Sequence, residues 1–322
     1  MTRKNLVVYF LAVFTILLAW IFAMDRLEWW GMFRETWPIS LTMVFGSFIA
    51  GATAEGGGAV AFPVFTKLFG IASEDAKIFS FMIQSFGMTM AGLVIYLRGI
   101  RVLWNVIGLA LAAGIIGLVI GELFLHLPEP YPKLVFTITA VVFGVFLVIN
   151  RWRINGHPSE KLSLNHYKVW LPVLLTGFIG GMVSSVIGVG IDMLIFVLLT
   201  LLFGINEKIS TPTTVVLMGL LSVAGFFWHA HVAGDISPDV WRYWMSCIPI
   251  VIFGAPLGAW ACDKIQRDHL IYLLIGLIIL DFITTLWVVP MDKPRVFLMV
   301  LAVLFSTSLF TLLIKGRNKM GL

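Results

Sequence analysis

The sequence predicts an all-α, polytopic membrane protein with an inverted internal repeat, and three observations lead there. The 322 residues are 60% hydrophobic and only 12% charged, with a mean hydropathy of +0.99, a composition that no water-soluble domain shows. Apolar runs long enough to cross a bilayer recur along the whole chain. Two further apolar segments, one in each half, are interrupted by glycines beside a single carboxylate. Paired interruptions of this kind point to a site near the middle of the membrane.

Taken in order, Leu6–Met24 is long enough to span, and no small-residue cleavage site before Asp25 suggests its removal. Residues 25–37 carry Trp29, Trp30 and Trp37, the composition of an interfacial anchor. The first interrupted segment runs from Pro38 to Gly70 around Ala50-Gly-Ala-Thr-Ala-Glu-Gly-Gly-Gly-Ala-Val-Ala-Phe-Pro63. Each glycine costs a helix about 1 kcal/mol relative to alanine, so Gly56, Gly57 and Gly58 together predict a break. Spans follow at Ile78–Leu97, Val102–Leu125 and Leu134–Asn150. The second interrupted segment, Val169–Gly204, contains Gly177-Phe-Ile-Gly-Gly-Met-Val-Ser-Ser-Val-Ile-Gly-Val-Gly-Ile-Asp192, and spans at Thr211–His231, Val240–Cys262, His269–Val289 and Arg295–Ile314 complete the chain.

Phe48-Ile-Ala-Gly51 recurs as Phe178-Ile-Gly-Gly181, and Lys67-Leu-Phe-Gly-Ile71 as Leu201-Leu-Phe-Gly-Ile205. Self-similarity on this scale divides the chain. Residues 1–37 hold the first span and its loop. Residues 38–150 and 169–290 are the two repeats. A basic linker occupies 151–168, and 291–322 carry the last span and a basic tail.

Lys and Arg counts choose between two topologies, because cytoplasmic loops collect positive charge. If both interrupted segments dip in and return, the 22 basic residues divide 14 inside to 8 outside; if both cross, they divide 11 to 11. The re-entrant arrangement is therefore expected, with eight full spans and both termini cytoplasmic. Two arms of about 14 helical residues would each be about 20 Å long. That is short of the ~30 Å apolar core but enough to reach its centre. Three crossings per repeat invert the second hairpin, so the two tips should meet.

A helix starting at a tip presents free N–H groups and the positive end of its dipole, which suits an anion. The first tip offers the amides of Gly56, Gly57, Gly58 and Ala59 with the Thr53 hydroxyl. The second offers those of Gly188, Val189, Gly190 and Ile191 with Ser184 and Ser185. Gln84 and Thr214, on the spans that follow, are expected to line the same cavity. Glu55 and Asp192 at the tips, and Asp281 within a span, are the candidates for proton coupling, since a carboxylate in an apolar setting is costly while charged. Gly180 and Gly181 are read as helix-packing glycines, Glu122 as facing headgroups, His229 and His231 as interfacial, and Cys247 and Cys262 as packed thiols. No cofactor or metal is expected.

Several function classes are excluded. No nucleotide-binding loop, His-Glu-x-x-His or Gly-x-Ser-x-Gly motif is present. No basic stripe fits nucleic acid. The expected partners are a small anion, the lipid bilayer and protons, and a homodimer is compatible with the sequence. A secondary anion transporter is the leading class. An anion channel, or a membrane enzyme acting on a lipid or sulfur compound, is the alternative.

The glycine-rich break before Pro63 and Leu68-Phe-Gly-Ile71, repeated as Gly188-Val-Gly190 and Leu202-Phe-Gly-Ile205, resembles the TauE/SafE family of sulfite and organosulfonate exporters over residues 40–290. The resemblance implies export of a small sulfur anion, such as sulfite or sulfoacetate, across a bacterial inner membrane. Asp192 and Val197 stand where that family carries more glycine and a proline, which leaves sulfite, sulfoacetate, thiosulfate and carboxylates open as substrates.

Overall fold

The structure, a computed structural model, describes residues 3–54, 56, 58–153, 159–160, 162–262, 264, 267–290, 292–297, 299–301, 304 and 308. Glu55, Gly57, much of the basic linker and the last span, and the basic tail lie outside them.

Eleven helices are described. They are α1 Arg3–Leu27, α2 Phe33–Ala52, α3 Gly58–Pro63, α4 Ser73–Leu97, α5 Trp104–Phe124, α6 Tyr131–Arg153, α7 Tyr167–Ile187, α8 Ile191–Val197, α9 Glu207–Phe227, α10 Pro238–Cys262 and α11 Arg267–Val288. Eight are long and apolar enough to cross a membrane, which makes the chain a polytopic all-α membrane protein. α4 is the most enclosed of these and α1 the least. Of the 25 residues of α1 only Val13 and Met24 are buried, so it presents apolar surface outward and is tied to α10 by the Trp20 indole donating to the Met245 carbonyl (2.7 Å).

Seven of the eight expected spans form close to where the hydropathy places them, and most of the eighth, Arg295–Ile314, lies outside the described residues, but the interrupted segments differ from expectation. Equal arms of about 14 residues do not form. The first arms, α2 and α7, have 20 and 21 residues, because helix begins five residues ahead of Pro38 and Pro172. A proline near a helix start loses little hydrogen bonding, so neither marks the boundary. At about 1.5 Å per residue these arms are about 30 Å long, and α7 is itself among the eight candidate spans. The return arms are short. α3 and α8 each continue into one wide π turn, Val64–Leu68 and Leu198–Leu202, 134 residues apart. The two turns close alike. Ile71 donates to the Phe65 carbonyl and Ile205 to that of Leu199, both at 2.9 Å, and Gly70 and Gly204 follow with φ of 66° and 62°.

The long arms pack along partners from the other half, α2 on α10 and α7 on α5. Glycine makes the approach possible. A Cβ at Gly258 would fall 2.0 Å from the Phe48 carbonyl oxygen, and one at Gly117 would fall 2.0 Å from that of Phe178. Gly51 meets the Ala255 carbonyl at 1.8 Å and Gly181 that of Gly114 at 2.0 Å in the same sense. The two sequence-matched tetrapeptides thus make matching contacts. Small residues that let backbones touch are the usual means of helix association in lipid. α4 and α9 pack on each other between these pairs, and α6 on α11 beside them. Buried phenylalanines fill the space around the first return arm, with Phe65 against Phe79 (centroids 4.6 Å) and Phe62 stacked on Phe136 (5.1 Å).

Candidate functional site

The two breaks come together beside the middle of α4. At the second, α7 ends at Ile187, Gly188 takes a left-handed φ of 76° and Gly190 a φ of 138°, and α8 begins at Ile191. Only glycine holds such a φ without strain. At the first, α2 ends at Ala52, Thr53 is extended, Gly56 is left-handed (φ 69°), and α3 begins at Gly58. Gly56 faces the other tip. A Cβ on it would lie 2.7 Å from Asp192 Oδ2, 2.8 Å from Gln84 Oε1 and 3.5 Å from Val189.

The second tip is already occupied by the protein's own groups. Asp192 Oδ1 accepts the amides of Gly190 (3.1 Å) and Met193 (3.0 Å), so it closes the N-terminus of α8. The Ile191 amide donates to Ser184 Oγ (3.3 Å). Gln84, the twelfth residue of the 25 in α4, donates its amide nitrogen to the Ser80 and Gly188 carbonyls, both at 2.9 Å. That fixes the amide with Oε1 turned towards Gly56 and Asp192. Gln84 Oε1 and Asp192 Oδ2 are then two acceptors facing one glycine, and among the described residues neither has a hydrogen-bond partner although the residues are 2% and 0% exposed. A buried acceptor left unmatched costs about 1–3 kcal/mol.

Of the residues picked out in the sequence, Gly56, Gln84, Ser184, Gly188, Gly190 and Asp192 are gathered here. Gly58 starts α3, while Glu55 and Gly57 lie outside the described residues. Three hydroxyls turn back to their own helices: Thr53 to the Ile49 carbonyl, Ser185 to that of Met182 and Thr214 to that of Thr211. Asp281 stands elsewhere. Its carboxylate pairs with Lys67 in the π turn Val64–Leu68, and Thr137 and Thr285 complete the cluster. Gly180 and Gly181 pack helices, a Cβ at Gly180 falling 2.7 Å from the Ile191 Cα.

Other buried charges escaped the sequence reading. Lys67 and Lys77, counted as outer-loop charges, are each 4% exposed. Glu122 does not face headgroups: its side chain is 7% exposed and lies 3.0 Å from the Lys77 ammonium. His229 is fully buried within the protein, in the wide π turn Trp228–Ala233. His231, two residues on, lies against Phe227 and is exposed. Opposite charges inside apolar segments require partners, and that requirement alone links Lys67 with an acid of another span. Cys247 is buried and free, as expected of a packed thiol. Among the described residues no three His, Cys, Asp or Glu side chains are placed to hold a metal ion.

Broken helices from two repeated halves, meeting inside a bundle of membrane-length helices, define the class: a membrane transporter. The family model described as sulfite exporter TauE/SafE matches residues 39–285. The chain belongs to that family. Neither a curated protein nor a solved structure matches it.

Proposed function

We propose that this chain is a secondary transporter that exports a small sulfur oxyanion, such as sulfite or an organosulfonate, across a bacterial inner membrane, and that it carries a proton with the anion. The observation that supports this most is the meeting of Gly56, Gln84 and Asp192 between the two tips. In this reading both interrupted segments are re-entrant, the basic linker 151–168 and both termini are cytoplasmic, and the substrate binds where the helix N-termini converge. The family supplies the substrate class, and the tips supply the chemistry.

Asp192 acts as a tethered anion. While charged, it occupies the amides that an incoming oxyanion would use. Protonated, it donates from Oδ2 towards Gln84 Oε1, satisfies both orphan acceptors and removes the charge from the α8 N-terminus. An oxyanion can then take that position. Anion and proton binding are thereby positively linked, so acidification tightens anion binding. The inside-negative potential already favours export of an anion, by about 2.3 kcal/mol per charge per 100 mV, and the proton serves to neutralise Asp192 while the anion is bound.

The test is counterflow of labelled sulfite in proteoliposomes against unlabelled sulfite, thiosulfate, sulfoacetate and a carboxylate. Wild-type affinity for sulfoacetate, whose own charge is constant over this range, should rise as pH falls from about 8 to 6, and Asp192→Asn should bind it with no dependence on pH across that range. Retention of the wild-type pH dependence in Asp192→Asn refutes the coupling role. Absence of counterflow with every anion refutes the transport reading.

A further inference from the structure

A second line of buried polar groups lies beyond the second tip, towards the end of the bundle where α9 gives way to α10. His229 sits at its centre, fully buried, with Phe81 stacked on its ring (centroids 6.0 Å). Nδ1 lies 2.9 Å from Asp235 Oδ1 and 3.2 Å from Oδ2. Nε2 lies 3.3 Å from Glu122 Oε1. Glu122 Oε2 in turn lies 3.0 Å from Lys77 Nζ, which also pairs with Glu74 at 2.5 Å. Asp235 is 42% exposed and Glu74 62%, so the outer end of the line reaches the surface, where Asp75 and Asp239 share the same acidic rim.

The inner end reaches the tip. A Cβ at Gly188 would fall 2.8 Å from the Lys77 carbonyl oxygen and 2.7 Å from Ser80 Cβ. One at Gly121, the neighbour of Glu122, would fall 2.0 Å from Ser185 Oγ. The backbone of α4 at Lys77 and that of α5 beside Glu122 therefore pack against the end of α7 and the Gly188 turn that precedes Asp192.

The geometry is short of protons. A neutral imidazole has one N–H, yet a carboxylate faces each ring nitrogen. If Nδ1–H serves Asp235, a bare Nε2 faces Glu122 Oε1 across 3.3 Å with no proton between them. One additional proton, on Nε2 or on Glu122, closes that contact. Histidine can take a proton at one nitrogen and release one from the other. In the tautomer with its proton on Nε2, a proton arriving from water through Asp235 enters at the bare Nδ1, the Nε2 proton passes to Glu122 Oε1, and the ring is left neutral as the Nδ1–H tautomer. Glu122 becomes a neutral acid one residue from the Ser185 contact, and Lys77 restores its ionised form once the proton moves on.

From this we infer that Asp235, His229 and Glu122, with Lys77 as the positioning charge, form the route by which protons pass between the outer face and the site between the hairpin tips. The inference rests on the proton-coupled transport proposed above. It adds residues that play no part in holding the anion.

The experiment uses the full chain in liposomes containing a pH-sensitive dye. Labelled sulfite counterflow, which needs no net proton movement, is measured beside proton movement driven by a sulfite gradient. Glu122→Gln and His229→Gln should keep counterflow within about twofold while proton movement falls by about tenfold or more. Asp235→Asn, at the exposed end and outside the helices, should fold normally and slow proton movement with counterflow intact. Equal loss of both activities in Asp235→Asn, or wild-type proton movement in all three variants, overturns the relay. Counterflow without any proton movement in the wild type overturns it too and leaves the transport reading standing. No wild-type counterflow with sulfite, thiosulfate or sulfoacetate overturns both.

Discussion

Removing the Asp281 carboxylate should damage stability rather than coupling, and the size of the effect follows from its surroundings. Lys67 and Asp281 are 4% and 5% exposed. The Lys67 ammonium also donates to the Asp281 carbonyl (3.0 Å) and to Thr285 Oγ1 (2.6 Å), and Thr137 donates to Asp281 Oδ2 (2.7 Å). Asp281→Asn leaves the cation enclosed with neutral dipoles alone. Breaking a buried pair from one side costs about 3–5 kcal/mol, whereas replacing both partners by apolar residues is often neutral. The single variant should therefore melt roughly 10 °C lower in detergent. The double variant Lys67→Met/Asp281→Leu should recover most of that loss, and both should keep the wild-type pH dependence of sulfoacetate affinity. Thermal unfolding by intrinsic fluorescence, with binding measured on the surviving folded protein, reads all three quantities. An Asp281→Asn protein that melts with the wild type but loses its pH dependence would refute this reasoning and move the coupling proton to α11.

Further outcomes follow from other contacts. Gly181→Ala places a Cβ 2.0 Å from the Gly114 carbonyl and should lower stability by about 1–3 kcal/mol, while Gly276→Ala meets nothing within 4 Å and should leave the melting temperature unchanged or raise it. In a cysteine-free background, Glu28→Cys should react with an impermeant maleimide added outside cells and Ser159→Cys should not; labelling of Ser159→Cys from outside would defeat the re-entrant topology. Glu129, in the turn between α5 and α6, is raised by burial, but its contacts with Ser73 and Lys133 outweigh that and hold its carboxyl below the usual range. Its stabilisation should be complete above the unfolded value of about 4.3 and be lost as pH falls through the lower folded value. The melting difference between wild type and Glu129→Gln, modest because the side chain is 47% exposed, should therefore shrink in acid.

Composition and hydropathy determined that this chain is a helical membrane protein, because apolar length is a local property and lipid admits no spanning backbone whose polar groups are unpaired. The glycine runs located both breaks for the same reason: a φ of 69° at Gly56 or 138° at Gly190 is a demand that single residues meet. Segment similarity matched Gly51 with Gly181, and the two positions do make matching backbone contacts. What the sequence did not determine is which charges face one another. Lys67 meets Asp281 across 214 positions, and Lys77 meets Glu122 across 45. Burial of these pairs depends on helices that pack only after the chain has folded. The arms were misjudged in length because each segment was divided equally about its break, from starts at Pro38 and Val169, whereas helix begins at Phe33 and Tyr167 and runs to Ala52 and Ile187. Asp192 shows the division most clearly. Its position in a glycine-broken segment marked it as costly to bury, but only the tertiary structure turned Oδ1 to the amides of its own helix and left Oδ2 facing Gln84 across Gly56. Electrostatic partnership is set by distances of a few ångströms between segments remote in sequence, and those distances exist only in the packed bundle.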